Sequence, residues 1–189
     1  MIREQRRRKR RRKIGLLVFL VLLLLIAIGA FIKVDIPLPM YTMHFTFQWF
    51  FVLMAGFLLG AKLATVSVIV YLSIGLVGVP VFAAFTAGPQ KLLGPTGGYL
   101  IGFIPMALIC GIFIDKWHQR YLHFIGMVLG TAVCYLFGTV WLAWQAGMSF
   151  QAALAAGVIP FIPGDLVKII ICLLIGPEIR KRLRKAGLV

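Results

Sequence analysis

Charged residues are scarce in this chain of 189 residues, at 13%, whereas 61% of its residues are hydrophobic. In water-soluble globular proteins about a quarter of the residues are charged, which keeps the surface polar. The apolar residues also fall in long blocks, several of which reach the roughly 17 to 25 residues that a membrane-spanning helix needs. The composition therefore excludes a soluble protein and predicts one that crosses a membrane several times.

Cysteines and the common catalytic motifs are also scarce. The three cysteines, Cys110, Cys134 and Cys172, stand in separate apolar blocks without paired spacing, which is typical of small buried side chains rather than of disulfides or metal ligands. The sequence has no G-x-x-x-x-G-K-[ST] phosphate loop, no G-x-S-x-G nucleophile turn and no H-E-x-x-H zinc motif. We therefore expect no enzyme, no metal or cofactor site, and no ATP hydrolysis through such a loop.

The positive charge is concentrated in two tails. Nine of the twenty lysine and arginine residues lie before residue 14, and five lie after residue 179. Neither tail interleaves aromatic residues or glycines with its basic ones, so a nucleic-acid partner is not expected. Basic clusters beside membrane spans favour the cytoplasmic face and attract anionic lipid headgroups. We therefore divide the chain into basic cytoplasmic tails at 1–13 and 179–189 and a single membrane domain at 14–178.

Six apolar segments fill the membrane domain. They are 14–32, 45–61, 63–84, 97–114, 122–146 and a last one that ends near Gly176 and whose start is broken by Pro160 and Pro163. An odd number of spans would carry one tail, with at least five basic residues, across the membrane. The predicted fold is therefore all-α, with six transmembrane helices, both termini cytoplasmic, and a proline-broken segment before the last span.

Two irregular connections lie on the predicted outer face. The first, 33–44, contains Pro37 and Pro39, and the second, 86–98, contains four glycines and two prolines. Neither can be helical throughout. Their length and composition suggest lids over a cavity that opens to the outside, although surface linkers are the alternative.

The last span carries two charges, Asp165 and Lys168, which project from one face of a helix because they are three residues apart. Counted back from Glu178 at about 1.5 Å per residue, Asp165 lies roughly 20 Å inside the membrane. Charges at that depth are unfavourable and usually face a cavity, which favours a ligand site. A helix cap by Asp165 and a purely structural ion pair are the alternatives. Aromatic residues near the outer ends of the spans could sandwich a small flat solute, namely Tyr41, Trp49, Phe82 and Tyr99.

Several segments together resemble the BioY family, the biotin-binding S components of energy-coupling-factor (ECF) vitamin transporters. The matching segments follow the family order and run from about residue 30 to residue 176. They are 36–39 (IPLP), 46–48 (TFQ), 78–83 (GVPVFA), 93–103 (LGPTGGYLIGF) and 153–168, which includes P-F-I-P-G-D-L-V-K. The G-P-T-G-G-Y and P-F-x-P-G-D-x-x-K pieces are specific as a set.

The resemblance implies a six-helix module in the plasma membrane of a prokaryote that binds biotin from outside and needs no cofactor of its own. Its implied partners are a transmembrane coupling subunit and two cytoplasmic ATPases. It also implies that Asp165 and Lys168 contact the ureido ring of biotin and that the glycine-rich loop closes the pocket. The substrate-binding residues expected on this basis are Tyr41, Gln48, Phe82, Ala84, Thr86, Lys91, Thr96, Gly97, Gly98, Tyr99, Gly164, Asp165 and Lys168.

The chain also departs from the family pattern. Residues 84–92 replace a glycine-rich stretch, and the first span lacks the A-x-x-x-A spacing that often marks the docking helix of S components. Two other functions therefore stay open. One is an S component for another vitamin, and the other is a proton-coupled carrier that uses Asp165 as its relay.

Overall fold

The computed structural model describes residues 20–37 and 42–186, so that the basic segment 1–13, Tyr41 and residues 187–189 lie outside the described part. Its elements, in chain order, are α1 (Leu20–Phe31), β1 (Lys33–Pro37), β2 (Thr42–Thr46), α2 (Gln48–Leu76), a 3₁₀ turn (Ala83–Phe85), α3 (Pro89–Leu93), α4 (Gly97–Lys116), α5 (Arg120–Ala146), α6 (Phe150–Gly157) and α7 (Ile162–Lys185).

Long apolar helices dominate this part of the chain. Among the described residues, four helical stretches are long and apolar enough to cross a membrane: α2, α4, α5 and the stretch Phe150–Lys185 that contains α6 and α7. The shorter helix α1 is also apolar. The chain is therefore a multi-pass membrane protein, as its composition predicts.

Helix α2 folds back on itself at Gly60. Gly60 has φ 76° and ψ −179°, a conformation that interrupts the helix. Gln48, near the start of α2, donates a hydrogen bond of 2.6 Å to the hydroxyl of Tyr71, beyond the break. In a straight helix these two residues would lie about 35 Å apart, so the two halves must run antiparallel. They correspond to the predicted segments 45–61 and 63–84, but the second half ends at Leu76, and Lys62 lies within the helix rather than in a loop.

Two charged side chains hold the backbone groups that this break leaves without helical partners. The Nη1 of Arg180 on α7 donates to the carbonyl oxygen of Phe57 at 2.9 Å, and the Oδ2 of Asp115 on α4 accepts from the amide of Ala61 at 2.9 Å. Arg180 and Asp115 are themselves joined, Nη2 to Oδ1, at 2.6 Å. Because unpaired backbone groups are strongly unfavourable within a membrane, this pair stabilises the reversal of α2.

Glycines let the helices pack closely around α4. A Cβ at Gly102 would lie 2.9 Å from the Sγ of Cys134, and one at Gly98 would lie 2.2 Å from the Cβ of Trp141, both on α5. Small residues at helix contacts are a general means of close packing where no hydrophobic effect draws helices together. The close packing places α4 and α5 side by side along one wall of the bundle.

The first irregular connection adds a short β-hairpin to the predicted helical fold. Strands β1 and β2 form an antiparallel β-hairpin in which Lys33 pairs with Thr46 and Pro37 with Thr42. A bond of 3.0 Å from the amide of Phe47 to the carbonyl of Ile32 closes the base of this hairpin. The expectation that the segment is not helical is correct, and Pro37, which lacks an N–H, lies at a strand end as proline requires.

The predicted break before the last span is also observed. Helix α6 ends at Gly157, residues 158–161 form a turn, and α7 begins at Ile162. Pro163 lies in the first turn of α7, where the missing N–H has no helical acceptor in any case. The break places Asp165 and Lys168 in the first turns of a new helix.

The substitution Gly60→Ala tests the reversal of α2. A non-glycine residue is strained by about 1 to 3 kcal/mol at this φ and ψ, and an added Cβ would also lie 2.4 Å from Asp115 Oδ2. We expect the free energy of unfolding in detergent to fall by more than the backbone strain alone. Gly147→Ala is the control, because Gly147 also has a positive φ but an added Cβ there would meet open space. Equal losses in the two variants would contradict the packing described here.

Candidate ligand-binding site

A cavity opens at the end of the bundle where α7 begins. Residues from the six helices α2 to α7, the end of β2 and the 3₁₀ turn meet there. Its walls are formed by Thr46, Gln48, Trp49, Ala83, Lys91, Thr96, Tyr99, Leu100, Phe103, Tyr135, Gly157, Phe161, Asp165 and Lys168. These elements come from both halves of the sequence, so the cavity exists only when the whole bundle has assembled.

The polar centre of the cavity is a buried ion pair. The Nζ of Lys168 lies 2.8 Å from Oδ1 of Asp165, and the two residues are only 4% and 3% exposed. The hydroxyl of Tyr135 on α5 donates to Oδ2 of Asp165, and Lys168 also donates to the carbonyl of Thr46 at 2.9 Å. Each charge is therefore compensated within the chain, as buried charges require.

Aromatic rings form the apolar walls. The ring of Trp49 lies 5.4 Å from that of Phe103 in an edge-to-face arrangement and 5.1 Å from that of Tyr135. The hydroxyl of Tyr99 donates to the carbonyl of Gly157 at 3.1 Å, which joins α4 to the end of α6. Such walls accept a flat apolar body, because ring faces and edges give large contact areas at defined orientations.

The arrangement suits binding rather than catalysis. A carboxylate accepts N–H groups, an ammonium donates to a carbonyl oxygen, and the aromatic walls exclude water, which together fit a small, flat, neutral solute with both kinds of polar group. In the described part of the chain, no group of three or more His, Cys, Asp or Glu residues could hold a metal ion.

Comparison with known proteins identifies the family. The family model described as the BioY family matches residues 5–185. The chain belongs to the BioY family. The resemblance inferred from the sequence segments is therefore confirmed, and with it the prediction that the chain is a transporter component and not an enzyme.

Individual BioY proteins agree with this assignment. The chain is 35% identical over 156 residues to the biotin transporter BioY of Thermotoga maritima, a match that covers 82% of this chain and 89% of that protein. It is 41% identical over 143 residues to the probable biotin transporter BioY of Pyrococcus horikoshii, covering 75% and 81%. Its fold is similar to the crystal structure of an S-component for biotin from an ECF-type ABC transporter, with a TM-score of 0.81, 29% identity, and coverage of 88% and 90%.

The structure brings part of the predicted BioY site together. Six of the expected substrate-binding residues line the cavity: Gln48, Lys91, Thr96, Tyr99, Asp165 and Lys168. Six others lie beside it without contributing to its walls: Phe82, Ala84, Thr86, Gly97, Gly98 and Gly164. Tyr41 lies outside the described residues.

Packing explains several of the residues that do not line the cavity. Phe82 is fully buried, its ring 5.6 Å from that of Tyr71, and Thr86 uses its hydroxyl to bond the carbonyl of Ala83 at 2.7 Å. A Cβ at Gly97 would lie 1.7 Å from the carbonyl oxygen of Leu92, so this glycine permits a close turn. These residues pack outside the cavity wall. Ala83 rather than Ala84 lines the cavity.

Several wall residues are absent from the predicted set. They are Thr46, Trp49, Ala83, Leu100, Phe103, Tyr135, Gly157 and Phe161, although Trp49 was noted as a possible ring contact. Tyr135 is the most informative omission, because its hydroxyl contacts Asp165. A phenolic hydroxyl in the middle of an apolar span needs a buried partner. This requirement is the sequence feature from which Tyr135 could be predicted as a site residue.

Replacing Tyr135 by phenylalanine tests its contact with Asp165. The change removes one donor from a buried carboxylate, and hydrogen bonds to charged groups contribute about 1.5 to 3 kcal/mol. We expect a loss of that order in the free energy of unfolding, measured in detergent. Tyr121→Phe serves as the control, because Tyr121 on the same helix is 62% exposed. A loss no larger than that of the control would show that Tyr135 contributes nothing to holding Asp165.

Proposed function

We propose that this BioY-family chain is the biotin-binding S component of an ECF-type transporter, which captures biotin from outside without chemical change. The observation that carries the proposal is the buried pair of Asp165 and Lys168 at the cavity centre. The similarity to the crystal structure of a biotin S-component supports the same function.

The geometry complements the chemistry of biotin. The ureido group of biotin has two N–H donors and one carbonyl oxygen, which Asp165 and Lys168 match as acceptor and donor. Trp49, Tyr99 and Phe103 offer ring surfaces for the fused rings. Biotin exchanges its hydrogen bonds with water for charge-assisted ones in a closed site, where such bonds are roughly twice as strong as neutral ones.

The orientation follows from the charge pattern and the helix reversals. The six proposed spans are α1, the two halves of α2, α4, α5 and the α6–α7 stretch, and α7 ends at the face opposite the cavity. Basic residues cluster towards both chain ends, which favours cytoplasmic termini and an outward-facing cavity in the plasma membrane of a prokaryote. A transmembrane coupling subunit and two cytoplasmic ATPases supply the ATP chemistry, and the basic tails attract anionic lipids.

The loop between the second half of α2 and α4 acts as the lid. Ala83, Lys91 and Thr96 from this loop reach the cavity wall. The carbonyl of Gly94 accepts a bond of 2.9 Å from the indole of Trp141, and the ring of Phe85 stacks on that of Phe31 at 4.2 Å. Ala84 and Phe85 both have positive φ, at 62° and 56°. Such strain in non-glycine residues is found where a segment must be held in one functional conformation.

Calorimetric titration of the purified chain with biotin, riboflavin and thiamine tests the function directly. We expect tight binding of biotin alone, and little accumulation by the chain in vesicles without its ATPase partners. Tight binding of another vitamin instead would assign the chain to a different substrate. Transport by the chain alone that responds to a proton gradient would favour a carrier.

The variants Asp165→Asn, Lys168→Met and their double variant extend the titration to the site. Each single change should abolish most biotin binding with expression and helicity nearly intact, and the double variant should not recover binding. A purely structural ion pair behaves differently, because removing one partner should destabilise by about 3 to 5 kcal/mol and removing both should restore stability. Destabilised single variants together with full binding in the double variant would refute the ligand role.

Lys91 provides a separate test of the lid. The tail of biotin ends in a carboxylate, which needs a cation or backbone donors in a dry site. Lys91 lines the cavity, as does Thr96, the other candidate donor there. We expect Lys91→Ala to weaken binding of biotin but not of its uncharged amide. Equal weakening of both ligands, or none, would remove Lys91 from this role.

Hydrogen exchange follows the lid independently of the Lys91 variant. Biotin should slow exchange of the amides in 86–98, because a closed lid shields its backbone from water. Unchanged exchange on saturation with biotin would contradict the lid.

A further inference from the structure

A second cavity, of about 300 Å³, lies at the opposite end of the bundle. Arg180, one of its wall residues, is fifteen positions beyond Asp165 on α7, which corresponds to about 22 Å along the helix. The cavity is lined by Phe57, Ile114, Trp117, His118, His123, Pro177, Arg180, Lys181, Arg184 and Lys185. It shares no wall residue with the candidate biotin site.

Positive charge dominates this second cavity. Four of its wall residues, Arg180, Lys181, Arg184 and Lys185, carry permanent positive charges. Asp115 forms an ion pair with Arg180, but among the described residues no carboxylate lies within 4.0 Å of the charged nitrogens of the other three. A concave surface with this excess of positive charge concentrates anions.

The carboxylate of Glu178 lies outside the cavity wall, and it is close enough to Lys181 and Lys185 to offset part of their charge. Its Oε1 accepts a bond of 3.1 Å from Nε of Arg182, and neither residue belongs to the cavity wall. Residues 180–185 therefore divide between two faces of α7. Arg182 lies on the side of α7 that faces away from the cavity and pairs with Glu178 there, whereas Lys181, Arg184 and Lys185 border the cavity.

The remaining walls are apolar and aromatic. Phe57, Ile114, Trp117 and Pro177 place hydrocarbon surface beside the cations, and Trp117 is 37% exposed. Nε2 of His123 lies 2.8 Å from the carbonyl of Trp117, which fixes the ring, while its Nδ1 has no partner among the described residues. Tryptophan beside basic residues is typical of the level of lipid headgroups.

We propose that this cavity binds the phosphate of an anionic phospholipid headgroup. A phosphate diester presents two charged oxygens, which several separate cations can contact together. A phospholipid also carries hydrocarbon chains that match the apolar wall, a property that a free anion lacks. Basic pockets between spans at one membrane face are known to accept such headgroups. The bound lipid bridges α7 to the α4–α5 connection at the same level as the Arg180–Asp115 pair.

Short-chain phosphatidylglycerol, titrated against the full chain in neutral detergent, tests the proposal by native mass spectrometry and thermal stability. The double variant K181Q/R184Q removes two cavity charges. We expect it to weaken phosphatidylglycerol binding about thirtyfold, on the basis of roughly 1 kcal/mol for each basic residue near a lipid surface. Phosphatidylcholine of the same chain length measures the contribution of the hydrocarbon chains.

The control variant K116Q/R182Q removes the same charge from positions outside the cavity wall. It should change phosphatidylglycerol affinity by less than about threefold, and biotin affinity should match the parent in both double variants. Equal losses of lipid affinity in the two variants would show only diffuse attraction to a basic surface and would overturn the proposal. Inorganic phosphate binding as tightly as the lipid would assign a free-anion site and overturn the lipid source.

The same experiment distinguishes a bound lipid from a protein partner at the second cavity. Unchanged lipid affinity in K181Q/R184Q, together with weaker association with the coupling subunit, would overturn the proposal in favour of a docking contact. Because biotin binding is measured in every sample, failure of the headgroup site is separate from failure of the biotin function.

Discussion

A membrane offers no water to buried polar groups, so each buried charge and each interrupted helix in this chain must find its partner within the protein. The pair of Asp165 and Lys168 meets this constraint with Tyr135 and the carbonyl of Thr46. The pair of Arg180 and Asp115 meets it by bonding the two backbone groups exposed at the Gly60 break. Both pairs therefore lie near an interrupted helix, and at Gly60 the pair bonds the backbone groups of the interruption itself.

Helix α7 connects these two places. Its first turns carry the charges of the candidate ligand cavity, and its last turns carry Arg180 and the basic wall of the second cavity. Because the helix is continuous between them, the two clusters are held at a constant separation. The helix also contacts both halves of the bundle, through Thr46 and Phe57 on one side and Tyr135 on the other. The proposed biotin site and the proposed headgroup site thus share one helix.

The balance of charges in the candidate ligand cavity favours a neutral polar ring over an ionic one. Asp165 and Lys168 already neutralise each other, so a charged ring at their level would leave one uncompensated charge in an apolar enclosure. A ureido ring presents donors to the carboxylate and an acceptor to the ammonium without adding charge. In the proposed binding mode the carboxylate of biotin lies away from the pair, where Lys91 and Thr96 supply polar wall groups.

Asp165 and Lys168 were identifiable from the sequence because a charge inside an apolar block is a local signal, and their spacing places them on one helix face whatever surrounds it. The two proline-containing interruptions were predictable for a similar reason, since proline removes a backbone donor in any context. The β-hairpin at 33–46 was not, because its strands depend on pairing with each other rather than on either segment alone.

Which aromatic residues face the cavity depends on how the helices pack. Phe103 and Tyr135 lie in apolar spans where lipid-facing and cavity-facing rings are equally apolar, so composition does not distinguish them. The rotation of α4 and α5 about their axes depends on close contacts such as Gly98 with Trp141 and Gly102 with Cys134. The membrane class, the apolar segments and the charged pair are therefore readable from the sequence alone, because these follow from local transfer free energies. The assembled cavity depended on packing between distant helices, which no single segment specifies.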